Sequence, residues 1–249
     1  MTDPKAYRTE REWLVEENEP KRIIELYGDG IGRVDLVDHM GTDLTIVNSA
    51  RVSFGKHKEK IDEKDKRLIN YLVKHRHTST FEHNLATFRF VVPLFVRGQH
   101  HRHRTWSYNE ISRRYTDVNI QFYEPKEFRT QHESNRQASN ANVLINPLMK
   151  NPIAYANEAL KGHHESCLIL YGKLLDAGVC REQARGVLPQ NMYTTYYGTV
   201  NLNNLLKFID LRTHEGAQWE IQKVAEACLE IAEGLWPVAV GAYRGAKND

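Results

Sequence analysis

Thr87-Phe88-Arg89-Phe90-Val91-Val92-Pro93 sets apolar side chains at alternate positions, is rich in β-branched and aromatic residues, and ends in a proline. It predicts a strand over residues 87–92. Pro93 suits the first position of a following helix, where it has no N–H to lose. No Gly-x-Gly-x-x-Gly follows the strand, which excludes a Rossmann reading. On the N-terminal side, residues 34–37 read as a first strand, Gly41 as a turn, and residues 64–74 as a helix with Leu68, Ile69, Leu72 and Val73 on one side. On the C-terminal side, residues 117–123 and 193–200 read as strands. Asn201 is then a natural N-cap for a helix through Leu205, Leu206 and Ile209. Further helices are expected over residues 153–175, stopped by Gly178, over 181–187, and over 216–232 as the last one. Strands and helices mix without strict alternation. The fold class is therefore α+β: a central, antiparallel-rich twisted sheet flanked by helices, in a single domain.

Residues 1–31 read as an N-terminal extension, with a short amphipathic piece around Ile23–Tyr27 ended by Gly28, and residues 32–249 as the domain proper. Residues 130–151 are polar and Asn-rich and read as a surface loop or insertion. With 249 residues and 41% hydrophobic content the chain can bury a sizeable core. Its formal net charge of +2 gives no bulk argument for nucleic acid, so any basic site must be local. No apolar run approaches the roughly 18 residues of a membrane span. The polar, partly acidic start is unlike a secretory signal. A cytoplasmic protein, with neither membrane nor nucleic acid as partner, is expected.

The strand and proline deliver the chain into Arg102-His103-Arg104-Thr105-Trp106-Ser107-Tyr108-Asn109-Glu110-Ile111-Ser112-Arg113-Arg114-Tyr115, which holds four arginines. Guanidinium forks suit phosphate, because each can give two parallel hydrogen bonds to one anion. If the helix runs on to about Arg104, Gln99, Arg102 and His103 share a face. Arg102 and Arg104 then diverge by about 200° and serve two different anions. From Ser107 the period is lost, and Asn109, Glu110 and Ser112 read as a loop. The plain alternative is a basic surface patch.

His75, His77 and His83, with His100, His101 and His103 further on, invite a zinc hydrolase or deaminase reading. Cysteine ligands and His-Glu-x-x-His are both missing, and no metal is expected. The arginines interleaved with Trp106, Tyr108 and Tyr115 would also suit a single-stranded nucleic-acid binder. Cys167, Cys180 and Cys228 show no Cys-x-x-Cys spacing. Cys167 and Cys228 fit helical core positions. Cys180, just past a helix end, has no histidine nearby in sequence to act as its base. Glu182 and Arg185, at i and i+3, read as an exposed ion pair of little energetic weight.

Taken in order, Ser53, His77, Ser79, Glu82, the segment 102–115, Glu182, Arg185, Asn201, Arg212 and Gln218-Trp219-Glu220 resemble the flavin-dependent thymidylate synthases (ThyX). That family's signature is Arg-His-Arg, seven residues, then Ser, which here is Arg102-His103-Arg104 through Ser112. Ser-Ala-Arg-Val-Ser-Phe at 49–54, Phe81-Glu82-His83, the segment 185–193 and Leu211-Arg212 also look like family sequence. The likeness runs roughly from Gly32 to the C-terminus.

The resemblance implies reductive methylation of dUMP to dTMP. Methylenetetrahydrofolate gives the carbon, NADPH the reducing equivalents, and FAD carries the hydride, in a homotetramer with sites between subunits. It places dUMP contacts on Gln99, Arg102, Glu110, Ser112, Arg113, Arg114, Arg185 and Arg212. Flavin contacts fall on Ser79, Arg102, His103, Arg104, Glu110, Asn201, Asn203 and Lys207, with Ser53 and His77 as further flavin-side candidates. It also implies that no cysteine attacks the pyrimidine. Arg212 would be the catalytic group, stabilising negative charge as N3 ionises. Ser112 would orient dUMP, and His77 and His103 would hold flavin and folate. The chain departs from the family pattern at Gly216, where several members have His, at Thr80, where Pro is common, and at Lys207, where a neutral residue is usual.

Overall fold

The computed structural model of the protein describes residues 23–136, 139–144 and 156–246. The strands are β1 (Ile23–Glu25), β2 (Arg33–Met40), β3 (Leu85–Pro93), β4 (Ser107–Glu110), β5 (Phe128–Gln131), β6 (Ser139–Leu144) and β7 (Tyr193–Asn201). The helices are α1 (Asp43–Arg51), α2 (Glu63–Lys74), α3 (Leu94–His100), α4 (Ala156–Asp176), α5 (Arg181–Ala184), α6 (Leu202–Arg212), α7 (Trp219–Leu235) and α8 (Pro237–Gly245). The main sheet has the order β1-β2-β3-β7-β4, with β5 and β6 paired separately. Every pairing in the main sheet is antiparallel. The α+β class is the one expected.

The alternation in β3 sorts its side chains. Ala86, Phe88, Phe90 and Val92 are buried on one face and share a core with Val34, Leu36, Tyr196 and Val200 of the neighbouring strands. Leu205 of α6, Ile221 and Val224 of α7 and Val240 of α8 close that core from the helical side. Phe88 faces Gly198 across the β3–β7 ladder. A Cβ on Gly198 would come within 3.0 Å of the Phe90 ring and 3.1 Å of the Trp106 ring. Glycine is what lets Trp106 lie flat against the strand. The opposite face of the sheet is mixed: Thr87 and Thr199 join hydroxyls at 2.9 Å, Arg89 pairs with the buried Asp35 at 2.6 Å, and Val91 packs with Tyr123 and Tyr193 in a small second apolar cluster.

α8 ties the two ends of the described chain together. Trp236 is fully buried and its indole N–H donates to the Gly41 carbonyl at 3.0 Å. The Asp43 carboxylate accepts from the Val238 and Ala239 N–H groups at 3.0 and 2.9 Å, satisfying orphan donors at the start of α8. On the far side of β7, His164 of α4 sits between Glu124 and Asn191, at 2.9 and 2.6 Å, and stacks on Phe122.

Several expectations are corrected here. Ile23–Glu25, read as part of the extension, is an edge strand paired with β2; residues 1–22 lie outside those described. Pro93 closes β3 and caps α3 from outside, with ψ 152°, and α3 stops at His100 instead of reaching Arg104. Ser107–Glu110 is a strand and not a loop. Its inward residue, Tyr108, donates to the His100 and His103 carbonyls, while Ser107 and Asn109 stay exposed, so an edge strand passes for an aperiodic polar run. Residues 117–123 make only an isolated bridge, Phe122 to Met192. The segment instead wraps the Arg113 guanidinium, which donates to the Val118 and Asn119 carbonyls, and Asn119 is left-handed. Part of the segment 130–151 pairs as β5 and β6; residues 145–155 lie outside those described. The helix expected from Gly216 starts at Trp219, and α8 follows it as a further helix. Cys228 is buried as expected, Cys167 is partly exposed, and Cys180 is exposed at the N-cap of α5.

Candidate functional site

Arg212 ends α6, and the polar groups at the end of α3 meet it. Its Nε donates to His103 Nε2 at 3.1 Å and one Nη to the Gln99 carbonyl at 3.1 Å. Burial, and then the Arg212 charge, push the His103 pKa down to about 4. At neutral pH the imidazole is therefore uncharged and offers a lone pair. Burial also lowers the Arg212 pKa, and among the described residues no carboxylate bonds to it. The result is a half-buried guanidinium held by two neutral acceptors, its charge uncancelled. Behind it, His100 is fully buried and bonds through Nδ1 to the Tyr196 hydroxyl at 2.8 Å, with Phe90, Trp106 and Phe208 around its ring. This nest fixes the end of α3.

Gln99 extends the network in the other direction. Its amide nitrogen donates to Gln218 Oε1, Gln218 donates to Glu220 Oε2 at 2.8 Å, and Glu220 Oε1 accepts from Arg129 and the Tyr123 hydroxyl. Gln218 and Glu220 stand in the sequence as part of a family-like block without a role. Nothing in the sequence marks Arg129 and Tyr123 as members of this network, because their partner lies about ninety residues on. No local spacing announces such a pair.

A second group forms around α5. Arg114 pairs with Glu182 at 3.7 Å with both side chains about half exposed, and Arg185 donates to the Glu182 carbonyl at 3.4 Å. The side-chain pair expected between Glu182 and Arg185 is replaced by these two contacts. Ser112 accepts from the Arg114 N–H at 3.3 Å and turns the chain there. Arg113 is buried and its guanidinium holds the 118–119 turn. Among the described residues, no hydrogen bond or ion pair joins this group to Gln99, His103 or Arg212. Glu110 stands apart, bonded to Thr194 at 2.7 Å and Arg97 at 3.2 Å.

The remaining candidates gather near the start of α6 and the turn at 78–81. Asn201 caps α6, accepting from the Asn204 N–H at 3.0 Å. Asn203 donates to Glu82 at 2.9 Å, which fastens the turn carrying the exposed Ser79 to the helix. His77 sits at the cap of that turn, its ring edge-on to Tyr71. Thr80 is buried and donates to the His77 carbonyl. Ser53 is exposed in a 3-10 turn after α1, and Lys207 is exposed on α6. Asn201 and Arg212 stand at opposite ends of α6, on the order of 16 Å apart at 1.5 Å per residue. Arg102 and Arg104 are exposed, and among the described residues neither is paired with a carboxylate. Such bare guanidiniums fit a dinucleotide's pyrophosphate, so the donor set suits FAD. Gly216 gives its N–H to His214. Among the described residues, no three His, Cys, Asp or Glu side chains group to hold a metal ion, and no helix is long and apolar enough to cross a membrane.

Residues 35–238 match the family model described as thymidylate synthase complementing protein. The flavin-dependent thymidylate synthase of Thermus thermophilus is 43% identical over 212 residues, covering 85% of this chain and 75% of the relative. This chain belongs to the family of flavin-dependent thymidylate synthases. The Thermotoga neapolitana member of the same name is 42% identical, covering 85% of this chain and 90% of its own. The crystal structure of the UMP/dUMP methylase PolB from Streptomyces cacaoi, bound with 5-Br UMP, shares the fold at a TM-score of 0.75. It is 33% identical and covers 91% of this chain and 98% of that one. The family match spans the segment 102–115. The zinc and nucleic-acid alternatives are not supported.

Proposed function

We propose that this chain is a flavin-dependent thymidylate synthase. It makes dTMP from dUMP, with 5,10-methylenetetrahydrofolate as carbon donor, NADPH as reductant and FAD as bound cofactor. The observation that carries this is Arg212 held by neutral acceptors alone. A uracil C5 is a poor nucleophile, and methylation there requires negative charge to build on the ring. Arg212 offers a fixed, uncancelled positive charge where that charge develops, inside a partly dry site that magnifies it. No thiol is needed, in keeping with an exposed Cys180 at a helix cap.

Gln99, Arg102 and Arg212 bind the pyrimidine side, and Ser112, Arg114 and Arg185 the phosphate side; Glu110, whose carboxylate only accepts, meets a donor group of the nucleotide, and Arg113 keeps the loop in shape beneath them. Arg102, His103 and Arg104, together with Ser53, His77, Ser79, Asn201, Asn203 and Lys207, hold the flavin. The flavin supplies the hydride when bound. The two unconnected dUMP groups support a homotetramer in which one copy brings Arg212 and another brings Arg114 and Arg185. No membrane or nucleic-acid partner enters this reading, and the cytoplasm is its proper compartment.

The test is a visible spectrum of the purified protein, taken before and after anaerobic addition of NADPH with dUMP present. It is followed by mass spectrometry for dTMP once folate is added. An oxidised flavin band that bleaches, with dTMP formed, is the expected result. A protein that takes up no FAD would overturn it.

A further inference from the structure

Glu110 ends β4 opposite Tyr196 of β7, with its side chain 25% exposed. Two groups hold it, and both hold the same oxygen. Thr194 shares a face of β7 with Tyr196 and is buried; its hydroxyl donates to Glu110 Oε1 at 2.7 Å. From α3, Arg97 Nε stands 3.2 Å from the same Oε1. This is an ion pair and not an aligned hydrogen bond, since the buried Arg97 Nε has no hydrogen-bond partner among the described residues. No described residue donates to Oε2. The terminal torsion of a glutamate is soft, so the hold on Oε1 is what keeps Oε2 in one place. The carboxylate is anchored at one corner and open at the other, and what it offers there is an acceptor.

Few groups on dUMP can answer an acceptor. The ionised phosphate and the two ring carbonyls only accept, which leaves the ring N3–H and the sugar 3′-hydroxyl. The N3 proton is the one whose loss Arg212 stabilises, and a carboxylate set against it would oppose that loss by placing like charges together. The 3′-hydroxyl carries no such conflict. Glu110 is also only two residues from Ser112, at most about 7 Å of extended chain, which puts it near the group given to the phosphate. We propose that Arg97, together with Thr194, aims Glu110 at the 3′-hydroxyl of the nucleotide sugar and so makes the site selective for a nucleotide that carries one. This rests on the assignment of Glu110 to dUMP. Arg97 and Thr194 are positioning residues: they touch Glu110, and Glu110 touches the sugar.

The experiment is calorimetric titration of dUMP, and of 2′,3′-dideoxyuridine 5′-phosphate, which lacks the 3′-hydroxyl, into the full-length protein loaded with FAD. Wild type should bind dUMP about 10-fold or more tightly than the dideoxy nucleotide, because a hydrogen bond to a charged group is at stake. R97M keeps an unbranched apolar stem and removes the charge. It should hold FAD, bind the dideoxy nucleotide within about twofold of wild type, and bring the ratio down to about threefold or less. R97K, which keeps a cation, should retain most of the ratio, and T194V should narrow it. A wild-type ratio near one, or a ratio unchanged in both R97M and T194V, overturns the proposal. So does an equal weakening of both nucleotides in R97M, which is what a structural role or a direct contact of Arg97 with the phosphate would give. Loss of FAD in R97M with the ratio intact would turn Glu110 toward the flavin and overturn it too. Wild-type protein that binds neither nucleotide would overturn the assignment to dUMP itself, a separate and visible failure.

Discussion

Arg212 and Arg185 are assigned to the same substrate, yet the chain prepares them very differently. Arg212 is half-buried, its Nε and one Nη committed to neutral acceptors supplied by the turn after α3 and by α3 itself. Arg185 is exposed, with one long bond to a backbone carbonyl, and its neighbour Arg114 shares a half-exposed pair with Glu182. The first arrangement costs less when a ligand arrives, because its side chain is already ordered and part of its desolvation is done. The second must be ordered by ligand, by another copy of the chain, or by both. Pre-organisation is thus concentrated where charge changes during reaction, and the part that merely grips an anion is left loose.

The widest effect should come from the tight side. Arg212→Ala is expected to lower dTMP formation by about 1,000-fold or more while flavin absorbance is retained; turnover within tenfold of wild type would leave the ring charge to some other group. On the loose side, Arg185→Ala should raise the KM for dUMP by about 10- to 100-fold with a smaller change in kcat, and its effect should fade at high salt. Mixing R212A with R185A protein under conditions that exchange subunits should restore activity, since some sites would then draw each arginine from an intact copy. No recovery from confirmed hybrids would put both groups in one subunit.

The pH dependence separates the two regions further. The His103 value is depressed below the usual 6.5 to about 4, so between those values the unfolded chain binds more protons than the folded one. Its contribution to stability is complete above pH 6.5 and is lost as pH falls toward 4. Denaturant midpoints for wild type and His103→Gln should therefore converge as pH is lowered through that window; parallel curves would mean the imidazole is not held neutral. Smallest of all, Cys180→Ala should leave kcat and KM within about twofold, as expected of an exposed cap residue. Loss of turnover in a folded protein would return a thiol to the chemistry.

The same contrast marks what the sequence could disclose. β3 and β7 alternate, α2 keeps its period, and Asn201 caps α6 where a cap was expected. Such features lie within one turn or one strand of their cause. The signature from Arg102 to Ser112 disclosed the family for the same reason. The strand at Ser107–Glu110 stayed hidden because only Tyr108 faces inward, and the Arg113 loop because its organiser precedes it and works through backbone carbonyls. Arg129 and Tyr123 were silent because Glu220 is remote in sequence. That the residues proposed for dUMP fall into two unconnected groups is a matter of geometry that no motif spacing records.

The clasp between Asp43, Gly41 and the α8 segment also bears on how the protein is born. These contacts span about 195 residues, so they can form only after nearly the whole chain has left the ribosome. Until then α1 has no lid, the Asp43 carboxylate has no helix to cap, and part of the core faces water. Long-range closure of this kind slows folding and exposes nascent chains to aggregation. A protein truncated before Trp236 should therefore emerge as a chaperone-bound or insoluble species and not as a slightly weakened enzyme.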